Sequence, residues 1–432
     1  MNTVAIHTLG CKLNFSESSD LVHQFVQHGF RVVDFKQKAD VYIINTCTVT
    51  ALAEKKCRNI IRQAIGTNPD AIVAAIGCFA QNNSQEIEQI EGVDFILGNN
   101  DKHKLLEYIL APSCSDIHKK VLPMGKDDVF VPSYSTGDRT RSFFKVQDGC
   151  NYFCTYCAIP FARGRNRSMN VKDTVAKAWE IAHSGMKEVV LTGINTGEFG
   201  TLYGECFFDL IKELDKIEPI ARYRISSIEP NLITDEIIDF IAQSRSFLPH
   251  FHIPLQAGSD KVLSLMNRRY DTKLYAERLE KIKSVMPHAC IACDIIAGFT
   301  GETDELFDEA CQFIDSIPIS YLHVFTYSER PNTKSLTHSG KVPVAKRRER
   351  SRILHEISER KKLEFYRQNE NTNRTVLWES DKHDAYMYGF TDNYIKVRTL
   401  YNEQFVNEIT PVMLTNLNRI GDDDVYDCKL EL

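Results

Sequence analysis

The chain has 432 residues, 52 lysines and arginines against 58 aspartates and glutamates, and a formal net charge of −6 at neutral pH. That length leaves room for two or three domains, and 43% hydrophobic residues give each one a core. The opening MNTVAIHTLG lacks a basic start followed by a long apolar stretch, and no run of about eighteen apolar residues occurs, so neither a secretion signal nor a membrane span is expected and a cytoplasmic location is. Thirteen cysteines in a reducing compartment point to metal ligation rather than disulfides.

From residue 3 short β-branched runs alternate with helical stretches: TVAIHTL, a helix from about Ser16, ADVYIINT, a helix through Arg62, AIVAAIG, a further helix and VDFILG. Repeated strand and helix units predict an open parallel sheet over residues 1–111. Cys11, Cys47 and Cys78 each follow one of these strands. The carboxyl ends of strands line the crevice of such a sheet, so three cysteines far apart in the chain are expected on one rim. Three thiolates hold three irons of a [4Fe-4S] cluster and leave the fourth open. Cys57 lies inside a helix and reads as packing.

Pro112, Pro123, Pro132, Ser133 and Ser135 mark an expected connector over 112–135. A second unit, 136–368, follows, with strand candidates RSFFKVQ, KEVVLT, ARYRISSI, HFHIPLQ, ACIACDIIAG and YLHVFTY separated by helices. Six parallel strand and helix units predict a partial (β/α)6 barrel with its active loops at the strands' carboxyl ends. Cys150, Cys154 and Cys157, in the run CNYFCTYC, follow the first of those strands. A zinc knuckle or an electron relay needs a fourth ligand nearby, yet no Cys or His occurs in the next twenty-five residues. An open-iron [4Fe-4S] cluster is therefore the expected occupant.

Cys290 and Cys293 read as core, because residues three apart on a strand point to opposite faces. Cys114, Cys206, Cys311 and Cys428 have no ligand partner at useful spacing. Positive charge gathers at Arg163, Arg165 and Arg167, suited to RNA phosphates, and at Lys346, Arg347, Arg348, Arg350 and Arg352 on a long helix over about 344–369. The tail, 369–432, breaks into short alternating segments that predict a small antiparallel β-barrel, with Tyr394, Lys396 and Arg398 two apart on one strand face as an RNA grip.

CNYFCTYC resembles the signature of radical S-adenosylmethionine enzymes, and QDGCNYFCTYCAIPFARGRNRS is similar to their methylthiotransferase branch. The resemblance covers essentially the whole chain. It implies an auxiliary cluster at Cys11, Cys47 and Cys78, a radical cluster at Cys150, Cys154 and Cys157, and a substrate-binding TRAM barrel at the tail. TLGCKLNFSES, LTGINTG and SSIEP resemble the bacterial branch that methylthiolates threonylcarbamoyl-adenosine beside the tRNA anticodon; the branches acting on isopentenyl-adenosine or on a ribosomal protein are the alternatives. Thr300 in GFTGET stands where relatives usually have proline, which puts only the local loop shape in question.

The resemblance further implies two [4Fe-4S] clusters, two equivalents of S-adenosylmethionine per turnover, a tRNA anticodon stem-loop as substrate and a reductant such as flavodoxin or ferredoxin. One equivalent donates the methyl group to sulfur and the other supplies the radical. Rim positions give the cofactor-binding candidates: Tyr156 against adenine, Thr192, Gly193 and Asn195 after the second strand, Glu229 after the third, His252 and Gln256 about the fourth, and Gly298 after the fifth. A non-catalytic iron-sulfur module for electron relay or RNA binding is the rival of another class.

Overall fold

The computed structural model describes residues 2–111, 118–125, 128–135, 140–421 and 423–430. Cys114 and part of the expected connector lie outside them. Six parallel strands form the N-terminal sheet: β1 Thr3–Thr8, β2 Arg31–Val32, β3 Val41–Thr46, β4 Ile72–Gly77, β5 Phe95–Leu97 and β6 His118–Lys120, in the order β2-β1-β3-β4-β5-β6. Every residue of β3 is buried, as a central parallel strand covered on both faces requires. Alternate side chains feed two cores: Tyr42 and Ile44 pack on one face of the sheet, Val41 and Ile43 on the other. Helix α1, Lys12–Gln27, starts immediately after Cys11, four residues earlier than expected.

The second unit places β7 Ser133–Tyr134 antiparallel against β8 Arg141–Lys145. A short antiparallel ribbon, β9 Gln147–Asp148 with β10 Arg167–Ser168, brackets the cysteine loop. Strands β8, β11 Glu188–Thr192 and β12 Arg222–Ile225 are parallel neighbours, as are β13 His250–His252, β14 Cys290–Ala297 and β15 Tyr321–Thr326. Parallel bridges Tyr223↔Phe247 and Ser227↔His252 join the two sets, giving six strands in sequence order. Alternation is clear along β11 and β12. Val189, Leu191, Tyr223 and Ile225 pack outward under the helices, while Val190, Thr192, Arg224 and Ser226 face a central cavity.

The helix Val344–Arg367 packs against β15. Its basic cluster is only partly a solvated face, since Arg347 and Arg350 are buried and paired with Glu329 and with Glu302 and Asp304. Beyond it β16 Asn373–His383, β17 Tyr386–Thr391, β18 Lys396–Leu400, β19 Ile409–Ile420 and β20 Asp423–Leu430 form a closed sheet in the order β16-β17-β18-β20-β19. It is not wholly antiparallel: β18 and β20 pair in parallel. A ring with an odd number of strands cannot alternate direction throughout, so one pair must run parallel. The loop from Thr391 to Tyr394 plugs the amino-terminal end of the partial barrel. There Arg224 donates to the carbonyls of Thr391 and Asp392, and Arg222 donates to Thr375 Oγ1 at 2.8 Å.

Candidate active site

The two sets of cysteines arise from turns at strand ends. Gly10 has φ +106°, and a Cβ there would stand 2.9 Å from Cys47 Cβ, so only glycine lets the Cys11 turn approach the Cys47 turn. Asn14 ties these turns together by donating to the carbonyls of Leu9 (2.7 Å) and Thr46 (3.1 Å). Asn99 Nδ2 lies 3.7 Å from Cys78 Sγ and also bonds the Ala162 carbonyl. Arg163 is electrostatically coupled to both Cys78 and Cys11.

The second set sits in the loop after β9. Gly149, φ +68°, has no room for a Cβ, which would stand 2.0 Å from the Arg165 carbonyl oxygen. The Tyr152 N–H points at Cys150 Sγ (3.4 Å) and Arg268 Nη1 at Cys154 Sγ (3.0 Å). Burial pushes Cys150 upward and Cys47 and Cys157 to about 12. Clustered, partly desolvated thiols resist ionising alone, whereas bound iron supplies the positive charge their thiolates require. Among the described residues, the three ligand atoms that lie within 4.8 Å of one another belong to His252, Asp294 and His323, not to cysteines. The wider cysteine sets suit the separate corners of a cluster rather than a single ion.

Two of the cavities beside these loops open between the cysteine sets and the barrel strands. The smaller, 200 Å³, is lined by Tyr156, Gln256, Asp294, Ile296 and Tyr327, with Val49 and Thr50 from beyond Cys47. The larger, 430 Å³, is the barrel lumen: Cys11 and Lys12 stand at one side, and Thr192, Gly193, Ser226, Ser227, His252 and His323 on its walls. Between the cavities runs a hydrogen-bonded wall in which His252 Nε2 meets Asp294 Oδ1 at 2.7 Å and His323 Nδ1 meets it at 3.1 Å. Ser227 Oγ holds the other nitrogen of His252 at 3.0 Å. Burial would raise the Asp294 carboxyl, yet the two imidazoles hold it well below the ordinary range.

Of the expected site residues, Tyr156 and Gln256 line the smaller cavity and Thr192, Gly193 and His252 the larger. Glu229 is ion-paired with Arg268, the arginine that reaches Cys154. Asn195 is buried in the turn after β11, its N–H donating to Gln147 Oε1 at 2.9 Å. Gly298 is packed against Arg347, where a Cβ would come within 2.4 Å of that side chain, so its role is close packing.

The RNA-binding expectation needs correcting at three positions. Arg163 and Arg167 are buried, not displayed: both pair with Asp148, and Arg163 also with Glu17. Tyr394 lies in a left-handed turn, φ +68°, before β18 rather than on its face, and its ring stacks over Arg224 (4.7 Å) inside the lumen. Arg165 is exposed above the Phe153 ring (4.4 Å), and Lys396 and Arg398 share a face with Tyr388 and Tyr386 while pairing with Asp423 and Asp427.

Lys12, Arg141, Arg224, Arg268, Asp294 and His323 were not singled out from sequence. Charged residues alternating along RYRI and a lone aspartate in CIACDIIA carried the signal, since lumen-facing positions recur every second residue.

Residues 3–98 match the family model described as uncharacterized protein family UPF0004, and residues 144–314 match the radical SAM superfamily. The threonylcarbamoyladenosine tRNA methylthiotransferase MtaB of Bacillus subtilis is 39% identical over 96% of this chain and 94% of its own length. This chain belongs to the MtaB family of tRNA methylthiotransferases. A tRNA-2-methylthio-N(6)-dimethylallyladenosine synthase of Syntrophus aciditrophicus is 31% identical over 90% of this chain and 84% of its own length. The radical S-adenosylmethionine methyltransferase TsrM of Kitasatospora setae shares the fold, with a TM-score of 0.55 at 14% identity over 75% of this chain and 73% of its own.

Proposed function

We infer that the chain is a tRNA methylthiotransferase that adds a methylthio group to carbon 2 of N6-threonylcarbamoyladenosine beside the anticodon. The observation that carries this reading is the near full-length likeness to MtaB enzymes, joined to two cysteine sets flanking one pair of cavities. The residues fit two [4Fe-4S] clusters: Cys11, Cys47 and Cys78 would hold the auxiliary cluster, and Cys150, Cys154 and Cys157 the radical cluster. When bound, the clusters and two equivalents of S-adenosylmethionine supply the methyl group, the sulfur and the radical that removes the ring hydrogen.

The chain's own residues bind, orient and separate. Tyr156 and Gln256 line a cavity beside the radical-cluster loop that takes S-adenosylmethionine, with the Tyr156 ring edge-on to Phe299. The lumen, with Cys11 at its side, takes the adenine. His252 and Asp294 stand between the two, so their hydrogen bond fixes how closely cofactor and base approach. Arg268 directs an N–H at the Cys154 sulfur, a contact that tunes a cluster's potential.

On this reading the methylthiotransferase domain runs from residue 1 through β6 at 118–120, the radical core from β7 at 133–134 to 368, and 369–432 form a TRAM domain, so the linker expected over 112–135 shrinks to the stretch between β6 and β7. Exposed Arg165, with Lys396 and Arg398, meets the phosphates of the anticodon stem-loop. A flavodoxin or ferredoxin in the cytoplasm delivers the electrons; no helix among the described residues is long and apolar enough to cross a membrane.

The test is enzymatic. Cluster-loaded protein with reductant, S-adenosylmethionine and stem-loop RNA containing threonylcarbamoyladenosine should yield the methylthio nucleoside on digestion and mass analysis. A product formed only from RNA containing dimethylallyladenosine would overturn the substrate assignment.

A further inference from the structure

One cation of the lumen wall has no carboxylate partner among the described residues. Arg224 pairs with Glu188 at 3.0 Å, Arg222 shares that carboxylate at 3.6 Å, and Arg141 pairs with Glu379 at 2.9 Å. Asp294 faces the lumen's histidines His252 and His323. Lys12 lies within electrostatic reach of Arg224, Arg141 and Asp294, yet among the described residues no carboxylate stands within ion-pair distance of its ammonium. The same cavity is lined by Thr192 and Ser226, both buried, whose hydroxyls have no hydrogen-bond partner. Of the cations that line the cavity, Arg141 and Arg224 have carboxylate partners and Lys12 has none, and two buried hydroxyls are without a hydrogen-bond partner. Such a wall lacks one anion with hydrogen-bonding oxygens.

Threonine joined through its amine to a carbamoyl group keeps a free carboxylate. We propose that Lys12 receives the threonyl carboxylate of the substrate nucleoside, with Thr192 and Ser226 donating to the same group. This rests on the substrate reading above and adds to it a specificity residue. Arg141 and Arg224 keep the lumen positive, and the Tyr394 ring over Arg224 closes its floor. A dimethylallyl group here would leave Lys12 desolvated and unpaired, so discrimination against it comes from the cost of the empty site as much as from the gain of the filled one. The rival role for Lys12 is countercharge to a cluster at the adjacent Cys11.

The probe is a chemical one: stem-loop RNA carrying threonylcarbamoyladenosine against the same RNA with that carboxylate as its methyl ester, each bound to cluster-loaded enzyme. Wild type should prefer the acid by about 10- to 100-fold, the worth of a charge-assisted hydrogen bond. Lys12→Met should bring the acid down to the level of the ester and leave ester binding unchanged, and Lys12→Arg should restore most of the preference. Equal binding of acid and ester by wild type would overturn the proposal without any variant. Equal weakening of both RNAs by Lys12→Met would also overturn it, in favour of the countercharge role. Methylthiolation of acid and ester at equal rates leaves the substrate reading intact and removes only this inference, whereas no turnover of either RNA removes both.

Discussion

Arg268 Nη1 stands 3.0 Å from the sulfur of Cys154, and the same guanidinium is ion-paired with partly buried Glu229. A cationic N–H aimed at a cluster ligand favours the more negative, reduced state. Arg268→Met should lower the reduction potential of the radical cluster and slow cleavage of S-adenosylmethionine by about ten- to a hundredfold, the value of one charge-assisted bond. Glu229 would then be a largely desolvated carboxylate without its partner, and the variant should unfold at a lower urea concentration. Arg268→Met with Glu229→Gln should recover much of that stability but not the potential. An unchanged potential in a spectroscopic titration of the single variant would show that the contact does not tune the cluster.

The interface between the N-terminal sheet and the barrel is an ionic one. Lys102, Lys145 and Arg163 converge on Glu17, with Nζ of Lys145 at 2.8 Å, and Lys145, Arg163 and Arg167 converge on Asp148. Burial alone would raise both carboxyls, but the surrounding cations hold Glu17 well below its ordinary 4.5 and Asp148 below 3.8. A depressed folded value means stability that is complete above the unfolded value and is lost as pH falls below it. The metal-free protein should therefore lose urea resistance as pH drops below 4.5. Glu17→Gln should be about 3–5 kcal/mol less stable at neutral pH and less sensitive to acid. A variant with the wild-type pH slope would mean that Glu17 is not the group responsible.

The cysteine sets divide the labour if each holds its own cluster. Replacing Cys11, Cys47 and Cys78 together by alanine should abolish methylthio transfer while leaving measurable 5′-deoxyadenosine from S-adenosylmethionine. Iron content should fall by about half, since three of six cluster ligands are gone. Complete loss of cleavage with the Cys150 loop still loaded would argue against two separate sites.

Much of this architecture was readable because regular periodicity and turn chemistry are local. The run VYIINT reads as one strand of a parallel sheet and is buried at every residue, and CNYFCTYC, with no further Cys or His close behind it, points to an open cluster site. What escaped the sequence was the direction in which individual cations point. Arg163, Arg165 and Arg167 look alike in a row, but the turn after the helix Ile159–Arg163 sends the first and third into the interface with Glu17 and Asp148 and leaves the second outside. Tyr394 was misplaced for a similar reason: its left-handed backbone breaks the alternation assumed from Lys396 and Arg398. Pairing partners outside the local run decide such cases, from Asp148 on the neighbouring ribbon strand to Glu17 on α1 of the other domain.

That difference among the three arginines makes the final prediction. Arg165 lies exposed above Phe153, beside the exposed ring of Phe161, and forms no ion pair among the described residues. A cation so placed releases one counterion when it meets a phosphate. Arg165→Ala should weaken RNA binding and reduce the slope of log affinity against log salt by about 0.7–0.9. Arg163→Ala should act otherwise, lowering the unfolding midpoint because Glu17 and Asp148 lose a buried partner. In the fraction that stays folded its salt slope should equal that of wild type. Binding isotherms at several salt concentrations for the two variants separate these roles, and a reduced slope for Arg163→Ala would return that residue to the RNA interface.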